Sequence, residues 1–218
     1  MNRLFIDIET IPDQREGAAS AATSRIKAPS NYKDPDKIKA YVEEKGAEAW
    51  RQTSLDGSYG QVFCIGFAVD SEAPVVEKVK TLDAAGEKEL LERFWRNFGI
   101  PKKPPVWVGH NILGFDLPFL WKRHVVHGVR PAASIPYSAS PWSPEIEDTM
   151  LMWTGSRTSF VSLDELLSIL NIPSGDPIEG SQVWDYVSNG EESVVVEHCL
   201  RNVAETREAW FRMTLTLP

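Results

Sequence analysis

The sequence predicts an α/β domain whose mixed β-sheet is flanked by helices, and three features support this. Residues Arg3 to Ile8 alternate in side-chain character and are rich in β-branched residues, as in a first strand. Gln61 to Val69 (QVFCIGFAV) is almost wholly apolar, which is typical of a buried central strand. Strand-like and helix-like segments then alternate along the chain. The length of 218 residues predicts a single domain over 1–218.

A polar stretch follows the first strand, which Ile11-Pro12-Asp13 interrupts. Residues 14–57 are rich in Ala, Lys, Glu and Ser, and helical periodicity runs from Asp34 to Gln52. Pro35 suits a first helical turn, and Asp34 suits the cap before it. We therefore expect a polar helical insertion over 14–57 within the domain.

The remaining segments supply the other strands and helices. Short strands are expected at 74–81 and 106–108, on either side of a helix over 84–98. A loop-to-helix segment begins at Gly109, a Pro/Ser-rich loop covers 131–144, and order resumes at 147–152. Ser162 with Glu165 three residues later predicts a capping box for a helix that ends near 170. The final helix is expected over 194–213.

Composition restricts the class of protein. The formal charge of −8 argues against a protein that coats nucleic acid through bulk electrostatics. No apolar run approaches the roughly 18–20 residues of a membrane span, and no signal-peptide profile opens the chain. Cys64 and Cys199 lack metal-ligand spacing and predict two reduced thiols. We expect a cytoplasmic protein with no membrane partner.

Asp7 and Glu9 are two acids inside the first predicted strand. Residues i and i+2 of a strand point to the same side, so the two carboxylates project together. Like charges held this close raise a pKa unless a cation neutralises them, and oxygen ligands suit Mg²⁺ or Mn²⁺. An edge strand with one solvated face would also explain the pair, and both interpretations stay open at this point.

A third acid follows in GHNILGFD, residues 109–116. This segment places Asn111, Phe115 and Asp116 where a loop enters a helix. Asp116 is also a candidate helix cap, with Pro118 near the first turn. A cap alone leaves Asn111 and the neighbouring aromatic unexplained.

These stretches together resemble a known family. FIDIET (residues 5–10) is similar to the first motif of the DEDD superfamily of 3′–5′ exonucleases, which have a ribonuclease H-like fold. HNILGFD (110–116) resembles the second motif of the branch related to the proofreading exonuclease domain of family B DNA polymerases. Further stretches resemble stand-alone members of that branch and extend the resemblance over almost the whole chain: NYKDPDKI (31–38), SLDELLSILNIP (162–173) and SQVWDY (181–186).

The resemblance implies a two-metal 3′–5′ exonuclease acting on the 3′ end of single-stranded nucleic acid, with DNA favoured over RNA. Asp7, Glu9 and Asp116 would hold two Mg²⁺ or Mn²⁺ ions, with residue 202 as the fourth position. Thr10 and Asn111 would hold the terminal nucleotide, and Phe115 would pack beside it or beneath the loop.

The third motif departs from the family pattern. The branch carries Tyr-x-x-x-Asp in the last helix, whereas this chain has His198 and Asn202 at those places. Residues i and i+4 share a helix face, so the geometry survives while a neutral amide replaces a carboxylate. We expect impaired metal binding and a large loss of rate. His198 could act as a general base or be a partly buried helix residue, and Glu205 could supply a replacement carboxylate.

Several basic and aromatic residues are weaker candidates for contact with the strand. Arg201, Arg157, Lys122 and Arg123 are possible phosphate contacts, although solvated surface charge is the favoured explanation for each taken singly. Trp121 and Trp142 are candidates for base stacking. Trp95, Trp153 and Trp210 lie in apolar contexts that predict the core.

Three hypotheses about activity follow. The chain is an active exonuclease, a nucleic-acid-binding module that has lost its fourth acid, or an exonuclease carrying a deliberate Asp→Asn change at position 202. Retention of Asp7, Glu9 and Asp116 favours the last over random decay, whereas His198 indicates natural drift. A scaffold without a nucleic-acid role would leave the acidic pair unexplained.

Overall fold

The computed structural model describes residues 2–98, 103–175 and 178–216. In this part of the chain five strands form one sheet in the order β3-β2-β1-β4-β5. β1 pairs antiparallel with β2 and parallel with β4, so the sheet is mixed. The predicted α/β architecture is therefore confirmed. The strands are β1 (Arg3–Ile11), β2 (Gln61–Val69), β3 (Val75–Lys78), β4 (Val106–Gly109) and β5 (Ile146–Asp148).

Helices pack on both faces of this sheet. The first two lie between β1 and β2, α3 and α4 flank β4, and the rest follow β5. The helices are α1 (Ala18–Ser24), α2 (Pro35–Arg51), α3 (Ala84–Phe98), α4 (Asp116–His127), α5 (Thr149–Thr154), α6 (Leu163–Ile169), α7 (Val183–Ser188) and α8 (Glu192–Thr214).

β1 is the central strand, and its two faces differ in chemistry. Leu4, Ile6 and Ile8 belong to the main apolar core with side chains of α3 and α4. Phe5 lies on the other face and packs edge-on against Trp210 of α8, with ring centroids 5.8 Å apart. Burial of each such side chain contributes roughly 1.5–3 kcal/mol. The face that carries Phe5 also carries Asp7 and Glu9 and is covered by α8.

Two of the predicted helix caps are formed, although the described contacts of Ser162 include only one of the two hydrogen bonds of a capping box. Asp34 accepts a hydrogen bond from the backbone N–H of Asp36, with Pro35 opening α2. Ser162 caps α6 by accepting from the N–H of Glu165 at 3.2 Å. The 14–57 segment contains α1, α2 and a 3₁₀ turn over Gln52–Leu55. Its description as an insertion into a single domain over 1–218 stays a prediction.

Two features bear on cellular context. Among the residues that the structure describes, no helix is long and apolar enough to cross a membrane. Cys64 and Cys199 are both buried free thiols, and burial is the main cause that raises the pKa of each. The cytoplasmic location stays a prediction.

Candidate active site

One cleft of about 470 Å³ collects the acidic residues expected from the sequence. It lies at the end of β1, where the start of α4 and the middle of α8 converge. Asp7, Glu9 and Asp116 line it together with the two altered positions of the third motif. The site residues along its wall are Asp7, Glu9, Asn111, Phe115, Asp116, His198 and Asn202.

The environment of the β1 carboxylates disfavours their charged forms. Burial raises the pKa of Asp7 well above its ordinary value, and the nearby charges of Glu9 and Asp116 raise it further. Hydrogen bonds from Cys199 and Asn202 act in the opposite direction. Oδ2 of Asp7 is buried and has no hydrogen-bond partner within the described residues. Such an oxygen is suited to a cation that the acids would share.

Asp116 reaches β1 because β4 stops pairing early. The parallel ladder between the two strands runs only to the pair Phe5 and Val108. Further along β1, the N–H of Ile8 donates to Oδ1 of Asp116 at 3.1 Å. Burial raises the pKa of Asp116 to about 8, with Glu9 contributing in the same direction. Asp116 is the first residue of α4, whose N-cap is Phe115, so the interpretation of Asp116 as a cap is wrong.

Gly66 of β2 allows α8 to approach these acids. It is the register partner of Asp7. A Cβ atom at this position would lie 2.8 Å from Sγ of Cys199 and 2.9 Å from Cγ2 of Val203. Because the helix rests directly on the backbone of β2, the side chains of His198 and Asn202 reach the cleft.

His198 engages a carboxylate directly. Its Nε2 lies 3.1 Å from Oε1 of Glu9, and both side chains are only 8% exposed. The same nitrogen lies 3.4 Å from Nδ2 of Asn202. His198 and Asn202 share one face of α8, as expected from the sequence. His198 therefore reaches Glu9, and Asn202 reaches Asp7.

Asp148 is a residue of the site that sequence reasoning missed. Its carboxylate accepts from the backbone N–H groups of Asn111 at 3.0 Å and Leu113 at 3.2 Å. It also caps α5 by accepting from the N–H groups of Met150 and Leu151. One buried acid thus joins the loop of the second motif to the helix after β5. The available signal was its place between a strand and a helix in IEDTM, where an N-cap is expected.

The conformation of Asn111 depends on this support. Its φ of 57° lies in the left-handed region, which Asn tolerates better than most residues. Its carbonyl accepts from Gly114 and Phe115, both at 3.0 Å. A Cβ on Gly114 would lie 2.3 Å from Oδ1 of Asn111, so a larger residue there would displace the Asn111 side chain.

His110 ties the same loop to a later segment. Burial lowers the pKa of His110, which favours a neutral ring. Nε2–H then donates to the carbonyl of Val161 and Nδ1 accepts from the Thr149 hydroxyl, each at 2.9 Å. The loop of the second motif is therefore anchored from two sides.

The carboxylates share a cleft without forming a ready coordination shell. Within the described residues, no group of three or more His, Cys, Asp or Glu side chains has metal-holding geometry. One oxygen of each of two acids is already in contact with another group. Oε1 of Glu9 is engaged by His198, and Oδ1 of Asp116 is engaged by Ile8.

Two sequence candidates lie apart from the cleft wall. Thr10 follows a bulge in β1, and its hydroxyl donates to the carbonyl of Ser54 at 2.7 Å. Glu205 is 8% exposed. Neither is among the described residues that line this cleft.

The candidate cations divide into structural and exposed ones. Arg123 is 5% exposed and donates to Glu87 through Nε at 2.8 Å and Nη2 at 2.6 Å, so its role as a phosphate contact is wrong. Lys122 pairs with Asp56 at 2.6 Å. Arg201 donates to the carbonyl of Gly175. Arg157 is exposed beside a second groove.

The tryptophans also divide. Trp95 and Trp210 are buried as expected, at 6% and 4% exposure. Trp153 was expected in the core and is 44% exposed, because it lies on the outer side of the short helix α5. Trp121 and Trp142 are accessible at 36% and 66%.

The fold and the cleft define a ribonuclease H-like domain of the exonuclease type. A solved structure, the family B DNA polymerase from the hyperthermophilic archaeon Pyrobaculum calidifontis, is similar over 99% of this chain with a TM-score of 0.58. At 16% identity that likeness shows the fold. The chain spans 24% of the polymerase's length. Comparison with curated proteins gives no match.

The family is shown by a sequence match over most of the chain. Residues 54–217 match the family described as predicted 3′–5′ exonuclease related to the exonuclease domain of PolB, and the chain belongs to that family. The matched range contains Asp116 and the third motif. Asp7 and Glu9 lie before it.

Proposed function

We propose that this chain is a metal-dependent 3′–5′ exonuclease domain, acting on single-stranded nucleic acid with DNA favoured, and that Asn202 impairs it. One observation carries the proposal. Asp7, Glu9 and Asp116 meet Asn202 in a single cleft, and the buried Oδ2 of Asp7 lacks a hydrogen-bond partner among the described residues. Membership of the exonuclease family supports the reaction class.

The donor set fits hard divalent cations. Asp7 and Asp116 have raised pKa values because burial and neighbouring carboxylates disfavour their charged forms, and a cation would reverse that effect. Asp7, Glu9 and Asp116 would hold Mg²⁺ or Mn²⁺, two ions in an intact family site. Once bound, such ions supply Lewis-acid stabilisation at the scissile phosphate and activate the attacking water.

The chain's own side chains have separate roles. Asn202 hydrogen-bonds to Asp7 but adds no negative charge, so the site has one carboxylate fewer than the family pattern. Nε2 of His198 lies 3.1 Å from Oε1 of Glu9 and competes with a cation for that oxygen. Asn111 and Phe115 line the cleft wall, where they would contact the terminal nucleotide. Thr10 would act indirectly by holding the end of β1 against Ser54.

The test is digestion of a 5′-labelled single strand, DNA and RNA in parallel, with Mn²⁺ or Mg²⁺. The parent chain is compared with Asn202→Asp and with a matched Asp7→Asn/Asn202→Asp control. The proposal is supported if Asn202→Asp shortens the strand from the 3′ end at a rate about 10²-fold or more above that of the parent, and the control does not. Equal ladders from parent and Asn202→Asp would show that the fourth carboxylate is not needed.

A catalytically inactive binding module of the same fold is the second candidate. Asn202 favours it, because a neutral amide stands where the family pattern has its fourth acid. Strand binding without a ladder from either the parent or Asn202→Asp would establish this alternative. Absence of both binding and hydrolysis would contradict both functions.

A further inference from the structure

A second groove, of about 450 Å³, adjoins the cleft at Asn111. We call it the Tyr137 groove and define it by Asn111, Gly114, Tyr137, Ser138 and Arg157. Asn111 lines both depressions, so both border the loop of the second motif.

One aromatic side chain of the groove is stacked on a second aromatic ring. Tyr137 stacks on Trp121 of α4, with ring centroids 4.0 Å apart and planes at 20°. Tyr137 lines the groove, is half-buried and packs against the main core, whereas Trp121 is not among the described residues that line the groove. A tyrosine fixed in this way can stack on a base with little further loss of conformational freedom.

The charge of the groove also differs from that of the cleft. Arg157 is exposed at its edge, and its Nη2 donates to the carbonyl of Ala139 in the loop that carries Tyr137. Asp148 is the one acid among the described residues of its wall, and it accepts from four backbone N–H groups, which offset its charge. The cleft, in contrast, contains Asp7, Glu9 and Asp116.

Stacking suits this chain better than bulk electrostatic attraction. A formal charge of −8 repels a polyanion at long range. Base stacking on aromatics does not depend on net charge and tolerates any base sequence. An aromatic ring with one adjacent guanidinium therefore provides the binding that the acidic cleft lacks.

We propose that the Tyr137 groove binds the nucleotides on the 5′ side of the terminal one, with a base stacked on Tyr137 and a phosphate at Arg157. The proposal rests on the proposed function, because it assigns the path of that same substrate. It makes Tyr137 and Arg157 positioning residues for strands longer than the cleft can hold.

The experiment measures fluorescence anisotropy of 5′-labelled oligothymidylates, two to eight nucleotides long, with Ca²⁺ present. We expect affinity to rise with length in the parent chain. In Tyr137→Leu the longer strands should lose about tenfold in affinity while the dinucleotide is unchanged. Tyr137→Phe should retain parent affinity, because it keeps the ring. Tyr32→Leu is the matched control, since Tyr32 packs edge-on against Tyr41 in the 14–57 segment.

Arg157→Gln supplies a second measurement that does not alter the aromatic pair. For long strands, the slope of log affinity against log salt concentration should become shallower by about one, which corresponds to the loss of one phosphate contact. Near-ultraviolet circular dichroism and thermal unfolding report whether each variant keeps its fold. A folded Tyr137→Leu chain with parent affinity at every length would overturn the inference.

The outcomes separate this inference from the proposed function. Suppose that Asn202→Asp hydrolyses long strands and that the double variant Asn202→Asp/Tyr137→Leu hydrolyses them equally well. This result would leave the proposed function intact and contradict nucleotide binding in the Tyr137 groove. Failure of the parent to bind any oligonucleotide would contradict both. Loss of a concentration-dependent dimer in Tyr137→Leu, seen by sedimentation with strand binding unchanged, would assign the groove to a second copy and overturn the inference.

Discussion

Nε2 of His198 lies 3.1 Å from Oε1 of Glu9, so the residue at the family's tyrosine position engages one of the proposed metal ligands. Removing this contact should end the competition between His198 and a cation for this oxygen. We therefore expect His198→Phe to tighten Mn²⁺ binding about tenfold, which is equivalent to about 1.4 kcal/mol. Isothermal titration of Mn²⁺ into the parent and the variant measures the change.

The matched control for this prediction is His127→Phe. His127 pairs with another glutamate, Glu87, at 2.7 Å, away from the cleft. Its replacement should leave Mn²⁺ affinity unchanged. Equal or weaker Mn²⁺ binding in His198→Phe would show that His198 does not compete for Glu9.

Asp148→Asn should weaken the loop of the second motif. The amide retains the shape of the side chain but loses the charge and one acceptor oxygen for four backbone N–H groups. We expect the free energy of unfolding to fall by about 2 kcal/mol. Urea titration followed by tryptophan fluorescence measures it. Asp164→Asn, at an exposed position, should match the parent, and an unchanged urea midpoint for Asp148→Asn would contradict this role.

Gly66→Ala should displace α8 from the sheet. The new Cβ would lie 2.8 Å from Sγ of Cys199, and such overpacking costs about 1–3 kcal/mol. Thermal unfolding should show the loss, and Cys199→Ala in the same chain should recover part of it. Gly180→Ala is the control, because a Cβ there meets no atom within 4 Å. A stable Gly66→Ala chain would mean that α8 can shift without cost.

Glu87 should contribute stability that depends on pH. Burial raises the pKa of Glu87, but hydrogen bonds from His127 and Arg123 outweigh it, and the pKa lies below its ordinary value. A depressed folded pKa stabilises the protein above the unfolded value of about 4.3, and the contribution disappears as pH falls through the folded pKa. Glu87→Gln should therefore cost about 3–5 kcal/mol near neutral pH, since it leaves Arg123 buried without its partner.

Urea unfolding between pH 7 and pH 3 checks this prediction. The difference in unfolding free energy between parent and Glu87→Gln should shrink as the pH falls below about 4.3. Glu44→Gln, at an exposed position of α2, should follow the parent throughout. A difference that grows as the pH falls below about 4.3 would show that the sign is wrong.

The sequence by itself determined the features that depend on local periodicity. Asp7 and Glu9 share a side because a strand repeats every two residues, and His198 and Asn202 share one because a helix brings i and i+4 together. The caps at Asp34 and Ser162 are equally local, since each accepts an N–H two or three residues away. These relations hold wherever the element lies in the fold.

Only the tertiary structure decided which of these residues meet. Asp148 holds Asn111 across 37 positions, Asp116 accepts from Ile8 across 108, and Arg123 is buried against Glu87 rather than free for phosphate. No local pattern encodes such contacts, because they depend on where β4 stops pairing and on how closely Gly66 lets α8 approach. Trp153 was assigned to the core by its apolar neighbours, whereas the packing of α5 leaves it exposed. Burial is a property of the assembled layers, and the sequence pattern of a six-residue helix is too short to define it.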